Sequence, residues 1–222
     1  MSPAEPLLLP APQAVPSPPG EACPAEESPE RQDEQKSLVE ADELYVFSYF
    51  RKPIHNTNPM ARVGLRLVYN LIRDEVFSKP THILRMIEDE DEARKYKANH
   101  FDYVTFSGVF IRRDGKCLKR HSGLLCLDFD HLEDPLALRK ALIRDKYFET
   151  LLAFVSPSGH GLKWVIPIEV SSLCPHERWF SSVRNYIQQT YKVQVDPSGR
   201  DVARACFLPH DPGVYIHPKL LA

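Results

Sequence analysis

A chain of 222 residues, 43% hydrophobic, is long enough for one domain with a substantial core, and its formal charge of −2 marks it as neither strongly basic nor strongly acidic. Leu7-Leu8-Leu9 is too short and too proline-flanked to span a membrane, and no basic residue precedes it as a secretory signal requires, so a cytoplasmic protein without membrane contact is expected. Cys23, Cys117, Cys126, Cys174 and Cys206 are odd in number, widely spaced and never Cys-x-x-Cys, which argues against a disulfide framework and a zinc knuckle.

Nine of the twenty prolines lie between Pro3 and Pro29, and an acidic run from Glu26 to Glu34 follows. Low hydrophobicity with proline and charge predicts a disordered tail over residues 1–41 and a folded domain over 42–222. Eight acidic residues against Arg31 and Lys36 make the first forty residues −6, which leaves +4 on the remainder. Part of that excess lies in Arg94, Lys95 and Lys97, and part in Arg112, Arg113, Lys116, Lys119 and Arg120; it suits nucleic acid or simply a solvated face.

Leu44–Phe50 reads as the first strand and Asn56–Pro59 as a loop. Leu65, Val68, Ile72 and Val76 form a helical stripe, and a second helix is expected from about His82 to Tyr96. Tyr103–Ile111 and Leu118–Asp128 read as strands, the first closed by the hairpin signal Asp114-Gly115. Asp134-Pro135 opens a helix that runs to about Asp145. Leu151–Val155 and Leu162–Ile168 flank a glycine-containing loop, and a helix from Pro175 to Tyr191 is expected to bury Trp179, Val183 and Ile187. Val193–Val195 and Ala205–Leu208 return to strand, with Cys126 and Cys206 as core residues. Hairpins mixed with crossovers predict an α+β fold, a mixed or antiparallel sheet flanked by helices, and not a doubly wound parallel sheet. The absence of Gly-x-x-x-x-Gly-Lys-[Ser/Thr] excludes a P-loop ATPase.

The chemistry concentrates in three places. Asp128 and Asp130 stand one residue apart at the end of an apolar strand, so their side chains share a face, and Asp196 ends a later apolar segment. Adjacent carboxylates repel unless solvated or bridged by a cation, so Asp128, Asp130 and Asp196 are candidate ligands for two hard divalent ions that serve phosphoryl transfer. An isolated Asp-x-Asp can also do no more than begin a loop. The segment Ser156-Pro157-Ser158-Gly159-His160-Gly161-Leu162-Lys163 offers hydroxyls, flexible glycines and a cation, and reads either as an anion cradle or as a tight hairpin. Arg204 follows Asp196 closely and either holds a phosphate or neutralises Asp201 or Asp128; His121 and Ser122 are candidates for the same cleft.

Four of these motifs together, HSGLLCLDFD from His121, SPSGHGLK from Ser156, VDPS from Val195 and DVARACF from Asp201, with VTFSGVF from Val104 before them, resemble the archaeo-eukaryotic primase superfamily, or primase-polymerases. More closely the chain resembles the VirE-type N-terminal domain of bacterial mobile-element proteins, over about residues 43–218. The resemblance implies an RRM-like sheet with Asp128, Asp130 and Asp196 holding Mg²⁺ or Mn²⁺. It implies that Ser156, Ser158, Gly159, His160 and Lys163 of the second motif contact a nucleoside triphosphate, which the phosphate reading of Arg204 would extend. It implies too a single-stranded DNA or RNA template, replication of a mobile element and a separate helicase as partner. One departure stands out: where active primases carry histidine, this chain has Lys163, a point charge without imidazole geometry. Two rival readings therefore stay open, a metal-dependent nuclease and a nucleic-acid or nucleotide-binding module that no longer turns over.

Overall fold

The computed structural model describes residues 44–221; the expected disorder of residues 1–41 lies outside them. Among the described residues five helices and ten strands follow one another in an α+β order, and every strand pairing is antiparallel, so of the mixed and antiparallel alternatives they show the antiparallel one. The first sheet has β2 (Ala61–Val63), β1 (Phe47–Phe50), β3 (Tyr103–Thr105) and β9 (Cys206–Phe207) side by side. The second has β10 (Tyr215–Ile216), β7 (Leu152–Val155), β8 (Leu162–Pro167) and β6 (Leu124–Phe129). A separate two-stranded ribbon pairs β4 (Gly108–Phe110) with β5 (Leu118–His121).

The second sheet is apolar on both faces, which is why Leu124–Phe129 reads as a continuous hydrophobic run and not as an alternation. Leu124, Cys126, Leu152, Phe154 and Val165 turn to one side and meet Phe47, Val104 and Cys206 of the first sheet, together with helix α1 (Leu65–Arg73). Leu125, Leu127, Phe129, Leu162, Trp164 and Ile166 turn to the other and pack on α4 (Pro135–Ile143) and α5 (His176–Tyr191). By the same period of two, Asp128 and Lys163 share the face with Cys126 and Val165, toward the space between the sheets.

Several sequence expectations shift. The single helix expected over His82–Tyr96 is two, α2 (Ser78–Arg85) and α3 (Glu90–His100), because the Met86 and Ile87 amides turn back on Ile83 and Leu84 while the Asp89 carboxylate caps a new start at Glu92. Val76 is exposed in a 3₁₀ turn, and the neighbouring Phe77 is buried instead. The first strand is shorter than Leu44–Phe50, and Asn56–Pro59 does lead, through a loop, into the unexpected β2. The long strands expected at Tyr103–Ile111 and Leu118–Asp128 each break in two, the second at Gly123, whose φ of +78° suits glycine. Trp179 is only half-buried and Phe180 takes the core position on α5. Val193–Val195 belongs to no strand. Asp134 caps α4 as expected, accepting from the Leu136 and Ala137 amides at 2.9 Å.

One buried polar clamp ties the C-terminal segment to the strand that precedes the glycine-containing loop. Asp211 accepts from the Val155 amide at 2.8 Å and from Arg139 of α4 at 3.0 Å, with both side chains largely hidden. Removing one partner of such a pair strands the other charge without solvent. Asp211→Ala is expected to lower unfolding stability by about 3 kcal/mol or more, read from the urea midpoint; a change below about 1 kcal/mol would show that the clamp is not structural.

Candidate metal centre and its cationic cleft

Asp128 lies inside β6, directly across from Lys163 of β8 in the antiparallel register. Asp130 emerges one residue beyond the strand and is exposed. Asp196 arrives from a different part of the chain: its amide donates to the Asp128 carbonyl at 2.8 Å, and its carboxylate caps the 3₁₀ turn Pro197–Arg200. Carboxylate oxygens of Asp128, Asp130 and Asp196 all lie within 4.8 Å of one another, so the three residues read from the sequence do converge. Asp196 reaches the cluster from a turn and not from a strand end.

Three like charges at that spacing need compensation. Lys163 supplies part of it through an ion pair with Asp128 Oδ2, with both side chains nearly buried. Arg204 pairs with Asp196 at 2.9 Å, a partner different from the Asp201 or Asp128 expected, and it is exposed ahead of β9 instead of within an apolar strand. Burial pushes the Asp128 carboxyl up, against the pull of Lys163. Burial would also lower Lys163, but Asp128 outweighs it and holds the ammonium above its usual range. At Asp196 the Ser198 hydroxyl and amide, with Arg204, outweigh burial and hold the carboxyl low. Asp128 Oδ1 is buried and has no hydrogen-bond partner. An orphaned, buried carboxylate oxygen beside two further carboxylates is a donor set of the kind hard divalent cations take, so the three residues could hold a metal ion.

Asp128 and Asp130 line a cleft of about 440 Å³ together with Arg94 and Lys97 of α3, Arg113 from the β4–β5 ribbon, and Phe207. Lys97 makes no ion pair among the described residues, sits 5.9 Å from the centre of the Phe207 ring, and is held below its usual pKa by burial and by Lys163. The sequence placed Lys97 and Arg113 in a basic region but gave no sign that they share a cleft with Asp128 and Asp130; the fold brings Lys97 over the Phe207 ring and Arg113 over the Tyr103 ring.

The SPSGHGLK loop divides. Gly161 leaves no room for a side chain, since a Cβ would come within 2.5 Å of the Phe129 carbonyl and 2.8 Å of Ser156 Oγ. Ser156 is buried and its hydroxyl pairs with that of Ser158 at 3.1 Å; its amide and that of Gly159 are used inside the turn. Arg85 of α2 braces the loop from outside through the Pro157 carbonyl at 3.2 Å. Ser158 borders the carboxylate cleft, His160 lines an adjoining one with Asp130, and Lys163 is committed to Asp128. The loop is thus a braced hairpin whose Gly159 amide cannot cradle an anion.

His121 and Ser122 do not line the cleft, contrary to expectation. Ser122 donates its hydroxyl to the Phe106 carbonyl, and His121 belongs to a directed chain. The Gly123 amide donates to His121 Nδ1 at 3.0 Å, His121 Nε2 donates to His176 Nδ1 at 3.1 Å, and His176 Nε2 donates to the Gly199 carbonyl at 3.3 Å. Only neutral rings satisfy all three bonds. The chain ties the ribbon and the start of α5 to the turn that Asp196 caps.

The class of protein is therefore an α+β domain with antiparallel sheets and an acidic centre at the mouth of an inter-sheet cleft. The chain belongs to the family described as BT4734-like, N-terminal domain, whose model matches residues 95–216. That span holds Asp128, Asp130, Asp196 and the whole SPSGHGLK loop, and leaves β1, β2, α1 and α2 outside it. No curated protein and no solved structure matches the chain.

Burial, with His176 beside it, lowers His121 to about 4, and burial lowers His176 against the opposing pull of Gly199 and Asp201. Histidines whose folded pKa lies below the unfolded value of about 6.5 contribute stability that is complete above that value and is lost as pH falls toward the folded one. Melting temperature is expected to fall between pH 6.5 and 4, and to fall less steeply in His121→Gln. Equal slopes for the two proteins would remove the histidine chain from the account.

Proposed function

We propose that the chain is a divalent-metal-dependent nucleotidyltransferase domain of the primase-polymerase type, with an RRM-like sheet, that joins nucleotides from a nucleoside triphosphate to a 3′ hydroxyl on a single-stranded DNA or RNA template. The observation that carries this reading is the convergence of Asp128, Asp130 and Asp196 within 4.8 Å, with an unpartnered oxygen, beside a cleft that Lys97, Arg94 and Arg113 also line. The order and spacing of the motifs, which resemble those of primase-polymerases and of VirE-type N-terminal domains, support it independently. Replication of a mobile element beside a separate helicase is the setting that goes with this resemblance, and the cytoplasmic location expected from the sequence belongs to the same proposal. Among the described residues no helix is long and apolar enough to cross a membrane.

In the reaction a bond forms between the 3′ oxygen and the α-phosphorus, the α–β anhydride breaks, pyrophosphate leaves, and the hydroxyl proton passes to water. Asp128, Asp130 and Asp196 would hold Mg²⁺ or Mn²⁺, which would supply Lewis acidity toward the attacking oxygen and the phosphates. The chain's own part is positioning. Lys97, Arg94 and Arg113 line, with Asp128 and Asp130, a cleft of the volume that ordinarily holds a nucleotide-sized ligand, and in this reading they take the polyphosphate. Arg204 keeps Asp196 ionised and oriented. The ion pair of Lys163 with Asp128 favours a second reading, a nucleotide- or nucleic-acid-binding module without turnover.

The test is incubation with primed and unprimed single strands, labelled triphosphates and Mn²⁺, scored in one gel for extension, new primers and degradation. Extension or primer synthesis is expected; degradation alone would assign a nuclease, and binding without product the module. Asp130 is exposed, so Asp130→Asn leaves the fold intact and is expected to reduce product by about a hundredfold or more. Lys97→Ala is expected to weaken triphosphate binding about ten- to a hundredfold by titration calorimetry, and unaltered affinity would place the polyphosphate elsewhere.

A further inference from the structure

Two ions bridged by carboxylates need at least one carboxylate that gives an oxygen to each. At this centre the oxygens are largely spoken for. Asp196 Oδ1 accepts from the Ser198 amide at 2.9 Å, and its Oδ2 accepts from the Ser198 hydroxyl and from Arg204. Asp128, the central and most buried of the three, has its Oδ2 against the Lys163 ammonium and only Oδ1 unclaimed. Asp130 is free of hydrogen bonds and ion pairs among the described residues. The inventory therefore offers Asp128 Oδ1 and the Asp130 carboxylate, with the remaining lone pairs of Asp196, to an incoming ion.

Lys163 is not a loose surface charge that an ion can brush aside. Its backbone is held opposite Asp128 by the β6–β8 register, and its side chain is only 12% exposed. Charge points the same way. Three carboxylates against Lys163 and Arg204 leave a single negative charge, which one dication reverses; a second would add two further positive charges beside a buried ammonium and by the cleft that Lys97 lines.

We propose that the Lys163 ammonium stands in the place of a second metal ion, so that the domain takes one divalent ion per chain, on Asp128 Oδ1, Asp130 and Asp196, and supplies the other positive charge of its centre from β8. This rests on the metal-dependent reading above and specifies it. It also accounts for lysine at the position where the resembling primases carry histidine, since an ammonium brings a permanent positive charge that neutral imidazole lacks.

The decisive measurement is anomalous diffraction at the manganese edge from crystals of the full chain, grown with Mn²⁺ alone and with Mn²⁺ plus α,β-methylene-ATP. One peak among the three carboxylates under both conditions, with Lys163 still against Asp128, is the expected result. Two peaks, or Lys163 withdrawn from Asp128, overturn the inference and leave metal-dependent transfer standing. No peak overturns both. The variant Lys163→Met keeps an apolar stem without charge, and Mn²⁺ titration followed by electron paramagnetic resonance is expected to give two ions where the native chain gives one. An equal count in the folded variant overturns the substitution of charge for ion, and if the variant does not fold, the native crystals decide alone.

Discussion

The acidic centre depends on the register of β6 against β8. In that register Asp128 faces Lys163, and both point into the space between the two sheets where Cys126, Val165 and Cys206 pack. A slip of one residue would carry Asp128 to the opposite face, among Leu127, Phe129 and Trp164 against α4 and α5, where an ionised carboxylate has no partner. The apolar residues on either side of the pair thus fix the position of the charge. The ion pair fixes the strands less by its own net energy than by the cost of breaking it, because either member alone would be a buried, unpaired charge.

Asp196 reaches the same point by a longer route. Its amide bonds to the Asp128 carbonyl, so the turn it caps is hung directly on β6, and the histidine chain through His121 and His176 fastens the far side of that turn to the ribbon and to α5. Polar groups buried at these joints are fully paired, and a network of that kind holds one geometry because any displacement leaves several groups unsatisfied. The same loop-bracing logic applies on the other side, where Arg85 holds the Pro157 carbonyl and Gly161 lets the chain close on Phe129. The centre is consequently rigid on its carboxylate side, while α3 brings Lys97 and Arg94 to the cleft beside it.

Much of this was legible before the structure. Asp128 and Asp130 declare themselves because a strand's period of two puts them on one side, and Asp196 because an apolar segment ends there. The α+β class followed from hairpins mixed with helices. Other features are not written locally. Lys163 reads as a phosphate contact in a glycine-containing loop, and only cross-strand pairing shows that its partner is Asp128. His121 and His176 are 55 residues apart, and Lys97 meets the cleft through helix packing; no short-range pattern encodes either meeting. The helix break at Asp89 was missed because the capping carboxylate lies inside an acidic run that also reads as a continuous solvated face.

On the proposed reading, the orphaned Asp128 oxygen and the Lys97 ammonium that lines the same cleft are half of a binding site for an ion and half for a polyanion, and the two halves need each other. A triphosphate alone meets the carboxylates as a like charge, whereas an ion between them turns that repulsion into attraction. Melting of the native chain with Mn²⁺, with α,β-methylene-ATP and with both tests this most directly, since a ligand that binds only the folded state raises the melting temperature. The account predicts that the nucleotide stabilises the protein only in the presence of the ion, with a shift larger than the separate shifts combined. Stabilisation by the nucleotide that is the same with and without Mn²⁺ would contradict it.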